Sequence, residues 1–407
     1  MRNNGWMTGI AAVALFAAVI LAAGANPALA QKKYDTGASD TEIKIGGSGP
    51  FSGPASVAGG LVKSVGAYFA MINAKGGING RKITYLAQED TYSPAKAVEV
   101  TRKLVEQDGV LLMAGSIGTP TQLAVQGYLN AKKIPQLFIA TGNSAFYDAK
   151  NHPWTIGNSV TTLTEGVLIG KQVAQSWPGA KVAILYQNDD LGKEYLAGAK
   201  QGIGDKANIV SAVSYEISDA TVDSQIATLQ SSGATVFLSL STPKATSQAI
   251  RRAYDTDWKP KIIIPSIVAQ IQGTLAPAGL DKSIGVMTPT FIKDSNDPRW
   301  ADDPATKDFV AWMKQYDTEV SDTALAIAGY DSADTLAAIL KDCGDDLTRE
   351  NIMKHAANLT AYHPPMMLPG ISITTTPTDY RIIHQMQFQA FNGKNWDLVG
   401  NVVSDSQ

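Results

Sequence analysis

GVLLMAGSIGTPTQLAV, residues 109–125, shows the fold in miniature. An apolar run, Val110-Leu111-Leu112-Met113-Ala114, stops at Gly-Ser-Ile-Gly-Thr-Pro-Thr, and apolar residues then recur at helical spacing. A short apolar run bounded by a turn reads as a strand buried on both faces, the pattern of a parallel sheet. A strand turning directly into a helix puts the turn at the carboxyl edge of the sheet, where open α/β sheets hold their ligands. Small hydroxyl residues there suit a nucleophile, a phosphate cradle or a plain binding loop.

The unit repeats on both sides. Upstream, a strand over 42–46 leads through GGSGPFSGPAS to helical spacing at Val57, Leu61, Val65, Tyr68 and Ile72, which ends at Lys75-Gly76-Gly77. A strand over 83–87 follows, then Ser93-Pro94 opens a helix. Downstream, a helix over 121–131 precedes a strand over 136–140 that ends in Thr141-Gly142-Asn143-Ser144. A second array begins with a helix over 162–177 and strands over 181–186, 209–216, 235–239 and 261–264. Its strand ends carry Asn188-Asp189-Asp190-Leu191, Ser241-Thr242-Pro243 and Pro265-Ser266. Helices are expected over 304–316, 323–342 and 349–357, and Asn392-Gly393 between alternating segments predicts a closing hairpin. The fold class is therefore α/β, in two arrays of parallel strands flanked by helices.

Across 407 residues the formal net charge is −3, with no clustered Lys and Arg, so a nucleic-acid partner is not expected. Arg2, an apolar run over 10–23 and Ala28-Leu29-Ala30 form a cleavable export signal over residues 1–30. That run falls short of the ~20 residues a spanning helix needs, and the mature chain is expected to start at Gln31. Cys343 is the lone cysteine, which excludes an intrachain disulfide and reads as a buried, inert thiol.

Ala114-Gly115-Ser116-Ile117-Gly118 is a near relative of the G-x-S-x-G nucleophile elbow, with His152, His355, His363 and His384 as candidate bases. A secreted serine esterase using Ser116 is thus a rival reading. Against it, His384 falls in the hairpin, His363 precedes two prolines and no upstream His-Gly oxyanion motif occurs. The loop over 46–53 does not fit a dinucleotide fingerprint, because Pro50 and Pro54 remove donors a pyrophosphate needs. Four scattered His residues and one Cys give no metal-ligand spacing, so neither metal nor cofactor is expected. Trp154, Trp177, Trp300 and Trp312 read as packing residues. Hydroxyls and helix-start amides at strand ends remain, groups that hold a carboxylate without reacting with it.

The run Ile72-Asn73-Ala74-Lys75-Gly76-Gly77-Ile78-Asn79-Gly80-Arg81-Lys82-Ile83 resembles a segment of the branched-chain amino acid binding proteins of bacterial ABC transporters. Glu89-Asp90-Thr91-Tyr92-Ser93-Pro94-Ala95-Lys96-Ala97-Val98 resembles their next block, and Gly49-Pro50-Phe51-Ser52-Gly53 their first loop. The resemblance implies a two-lobed type I periplasmic binding fold whose lobes are joined by three crossings and close on a ligand by hinge motion. The crossings are expected near 157–160, 286–291 and 364–371, giving lobes of 41–159 plus 290–365 and of 160–289 plus 366–404. It also implies a monomeric periplasmic receptor that binds a small molecule and delivers it to a membrane permease. The same architecture serves sensory ligand-binding modules, but no output domain is visible.

By the resemblance, the carboxylate-holding loop falls on Ser116, Ile117, Gly118 and Thr119, and its neighbour on Thr141, Gly142 and Asn143. From the other lobe Leu191 takes the place of an aromatic cover, and Ser241, Thr242 and Ser266 take the remaining contact positions. Amino-acid-binding members carry an acid near Ser266 for the ligand's ammonium, and a serine cannot supply that charge. The expected ligand is accordingly a carboxylate without an ammonium, such as an aromatic or short organic acid. The alternative is an amino acid whose ammonium meets Asp189, Asp190 or another acid.

Overall fold

The computed structural model describes residues 32–53, 55–216 and 218–405; the expected export signal lies outside them. After the short β1 (Lys33–Tyr34), β2 (Glu42–Gly49) leads to α1 (Gly60–Ala74), and β3 (Lys82–Glu89) to α2 (Pro94–Arg102). Next come β4 (Leu112–Ala114), α3 (Thr119–Ala131), β5 (Gln136–Ile139) and β6 (Thr155–Gly157). Strands β2 to β6 form one parallel sheet in the order β3-β2-β4-β5-β6. Every residue of β4 and β5 is buried, as a sheet covered on both faces requires. Helix α1 starts later than its apolar spacing suggests. Val57 is 68% exposed because residues 55–59 form turns ahead of the helix, and the Phe51 N–H donates to the Glu89 carboxylate.

The second array runs α4 (Thr162–Ser176), β7 (Lys181–Gln187), α5 (Asp190–Ile203), β8 (Asn208–Tyr215), α6 (Asp223–Ser231), β9 (Val236–Leu240), α7 (Pro243–Asp255), β10 (Lys261–Ile263) and β11 (Met287–Thr290). Helices α4 and α5 meet along a seam of glycines. A Cβ at Gly166 would lie 2.7 Å from the Tyr195 carbonyl oxygen, and one at Gly198 2.3 Å from that of Leu163. Gly170 and Gly202 continue the seam, so the two backbones touch directly.

Beyond β11 the chain returns to the first sheet. Helices α8 (Pro304–Tyr316) and α9 (Thr323–Cys343) pack there, with Tyr330 edge-on to Tyr68 of α1 at 5.0 Å and to Phe309 at 5.4 Å. Then β12 (Asp346–Leu347) pairs with β1, followed by α10 (Arg349–Ala356). The last crossing delivers β13 (Gln385–Phe391) and β14 (Trp396–Ser404), the hairpin expected at Asn392-Gly393. Strand β13 adds antiparallel to β11, giving a seven-stranded sheet ordered β14-β13-β11-β10-β9-β7-β8. The chain thus passes between two sheets after β6, after β11 and before β13. Cys343 is buried, Trp312 is core, and Trp154, Trp177 and Trp300 pack against it. Among the described residues no helix is long and apolar enough to cross a membrane, and no group of His, Cys, Asp and Glu is placed to hold a metal ion.

Candidate functional site

Between the carboxyl ends of β4 and β5 and the starts of α4 and α5 lies a cavity of about 290 Å³. Ile117, Gly118 and Thr119 reach it from the turn after β4, and Ala140, Thr141 and Gly142 from the end of β5. The opposite wall comes from the crossing and the first turn of α4, through Ser159, Val160, Thr162 and Glu165. Helix α5 adds Leu191 and Tyr195, Tyr92 overhangs from the first array, and Ile267 completes the wall.

Three helices, α3, α4 and α5, therefore begin at this cavity. Their first-turn amides lack intrahelical acceptors and carry a partial positive charge, so the cavity favours an anion. Gly118 precedes α3 at φ 114°, and a Cβ there would stand 2.5 Å from Thr121 Oγ1 and 2.9 Å from the Tyr92 ring. Only glycine fits both the backbone and the space. Thr119 Oγ1 and Thr141 Oγ1, 2.7 Å apart, tie the two loops together. Across the cavity the Thr162 N–H donates to the Gly142 carbonyl at 3.0 Å.

Glu165 is the charged group of the site, and it is 1% exposed. The Ser266 N–H donates to its Oε1 at 2.6 Å and the Tyr195 hydroxyl to its Oε2 at 3.0 Å. Burial holds this carboxyl above its ordinary pKa, while these two donors and the Ser266 side chain pull it back down. Burial and the neighbouring Glu165 push the Tyr195 hydroxyl well up, so it stays a donor. Among the described residues no cation acts on Glu165.

Of the expected contacts, Ile117, Gly118, Thr119, Thr141, Gly142 and Leu191 line the cavity. Ser116 does not: it is fully buried, and its Oγ accepts the Ser48 N–H at 3.1 Å, fastening β2 to the turn. Two of the candidate bases are engaged elsewhere: His363 Nδ1 pairs with the Ile371 carbonyl and His384 Nδ1 with Asp405. Ser116→Ala is therefore expected to cost about 1–2 kcal/mol of stability by orphaning a buried amide. Ligand affinity should stay within about twofold, since nothing at the cavity wall changes. Urea denaturation with calorimetry checks both, and a large affinity loss would return Ser116 to the contact set.

Four other positions hold structure rather than the wall. Asn143 caps a turn through the Ala145 N–H at 3.1 Å, and Ser241 bonds the Ser239 and Thr246 hydroxyls at 2.8 Å each. The Thr242 amide donates to the Tyr215 hydroxyl at 2.9 Å, and Ser266 meets Glu165 through its amide and its side chain. Asp189 caps α5 through the Gly192 N–H at 3.0 Å, and Asp190 is exposed. Ser266 brings no charge of its own, but an acid other than Asp189 and Asp190 stands beside it. The first turn of α4 brings Glu165 there from 101 residues away. The signal was an acid inside the largely apolar run TLTEGVLIG, but its T-x-x-E spacing also reads as an ordinary capping box.

A second cavity of about 280 Å³ adjoins the first and shares Ile117, Ala140, Thr141, Gly142, Ser159 and Ile267 with it.

A family model described as periplasmic binding protein matches residues 42–395. Leu/Ile/Val-binding protein homolog 2 of Brucella abortus (strain 2308) is 27% identical over 162 residues, 39% of this chain and 42% of that protein. The match therefore spans less than half of the relative's length. A branched-chain amino acid ABC transporter structure from Thermus thermophilus with bound valine superposes with a TM-score of 0.75 at 15% identity, covering 90% of this chain and 98% of the other. An ABC transporter solute binding protein from R. palustris in complex with benzoate gives 0.67 at 18% identity, covering 89% and 98%. At these identities the two structures speak to the fold alone.

Proposed function

The chain belongs to the periplasmic binding protein family, and on that premise we propose that it is the exported solute receptor of an ABC importer, specific for an amino acid. In this reading residues 41–159 with 290–365 and residues 160–289 with 366–404 are the lobes that close on the ligand. The closed form then docks on a permease. The ligand carboxylate sits on the α3 turn at Gly118 and Thr119, helped by Thr141 and by the helix-start amides. Its ammonium meets Glu165.

The buried, cation-free Glu165 carboxylate in the cavity wall is the observation that carries this reading. A buried carboxylate is strongly disfavoured unless a positive group joins it. A ligand bearing only a carboxylate would set two anions against each other, so amino acids are favoured over the aromatic or short organic acids expected from the sequence. Titration calorimetry of the purified protein with leucine, valine and benzoate tests this. Leucine or valine should bind with benzoate silent, and tight benzoate binding with both amino acids silent would overturn it.

A further inference from the structure

The second cavity has a different chemistry from the first. Its walls include Leu61, Phe291, Ile292, Leu325, Met367 and Ile382, and one carboxylate, Asp331, interrupts them. Asp331 lies midway along α9 and is only 9% exposed. Its Oδ1 accepts the Met366 N–H at 3.1 Å, but its Oδ2 is buried with no hydrogen-bond partner among the described residues.

The surroundings do not neutralise it. Asp334, one turn on, accepts the Tyr68 and Tyr362 hydroxyls at 2.7 and 2.5 Å, so those donors are taken. Lys293 is the one cation acting on Asp331 among the described residues, yet it is bound to Asp303 at 2.9 Å and the Pro365 carbonyl at 3.2 Å. Burial accordingly pushes the Asp331 carboxyl well above its ordinary pKa. The wall is mostly apolar, with Thr141, Asn158 and Ser159 as its other polar side chains; an unsatisfied polar atom buried there costs stability, and each one in a native structure calls for a reason.

We propose that the second cavity houses the ligand's side chain and that Asp331 recognises a hydrogen-bond donor at the far end of that chain. This rests on the reading of the first cavity as the seat of the ligand's carboxylate and ammonium. The ligand class is then an α-amino acid with a straight aliphatic side chain ending in a hydroxyl or amino group. The two adjoining volumes, about 290 and about 280 Å³, together match the size of a small-molecule site. The apolar walls take the methylenes, and Oδ2 gains the partner it lacks.

Titration calorimetry with norleucine, 6-hydroxynorleucine and lysine on the wild-type protein and on Asp331→Asn tests the proposal. In the wild type, one of the two donor-ended ligands should bind at least tenfold tighter than norleucine. In Asp331→Asn that advantage should shrink at least tenfold while norleucine binding persists, which also reports that the variant is folded. Equal or tighter binding of norleucine by the wild type overturns the proposal and leaves the head-group reading intact, without relying on the variant. An advantage unchanged in Asp331→Asn likewise overturns it. If none of the three binds while leucine or valine does, this inference is overturned and the head-group reading stands; if leucine and valine are silent as well, both fail.

Discussion

Glu165→Gln is expected to weaken amino-acid binding about 100-fold, roughly 3 kcal/mol, because it removes a buried charge partner while keeping the side chain's shape. The amide can still accept the Ser266 N–H and meet the Tyr195 hydroxyl, so the cavity should stay intact. The empty variant should melt no lower than the wild type at neutral pH. The folded protein holds the Glu165 proton more tightly than the unfolded chain does, since burial raises this carboxyl from 4.5. Its contribution to stability is therefore full below that ordinary value and is lost as pH rises through the raised one. Wild type should lose stability relative to Glu165→Gln over that window. Affinity moves the other way: ammonium binding needs the carboxylate, so it should fall as pH drops below the raised value. Melting curves and calorimetry across pH check both signs. A variant that binds leucine or valine as tightly as the wild type would remove Glu165 from recognition.

Gly198→Ala carries the second large effect, with a sign that helix propensity gets wrong. Ala exceeds Gly inside a helix by about 0.5–1 kcal/mol. Yet its Cβ would stand 2.3 Å from the Leu163 carbonyl oxygen and force α4 and α5 apart. Overpacking of this kind costs about 1–3 kcal/mol, so a net loss of about 1–2 kcal/mol is expected, a drop of about 1–3 °C in Tm for a chain of this length. Because the shift separates Tyr195 from Glu165, ligand affinity should fall as well. Gly127→Ala in α3 is the control, since a Cβ there meets nothing within 4 Å and propensity should win. Thermal unfolding that ranks the two variants alike would mean the seam can relax.

The alternation of apolar runs and helical spacing made most of the elements legible, because a strand buried on both faces reads as a continuous apolar run and a helix as a 3.6-residue period. Loops at strand ends were legible too, and Gly118, Thr119, Thr141 and Leu191 lie on the cavity wall where such loops belong. Ser116 misled because a hydroxyl in a turn shows its chemistry but not its direction; one residue before Ile117, it points back to Ser48. Glu165 and Tyr195 were missed for a different reason. Both project from helices and meet only through tertiary packing, and no local pattern encodes a contact between residues 30 apart whose third partner is Ser266.

The glycine seam has a consequence for the cost of capture. Because α4 and α5 lie backbone to backbone, Thr162, Glu165, Leu191 and Tyr195 ride on one stiff block. Their arrangement is set during folding and need not be organised afresh when a guest arrives. The entropy that a mobile loop would surrender at each encounter has already been lost once; in the proposed receptor, lobe closure is then the main ordering step left to binding.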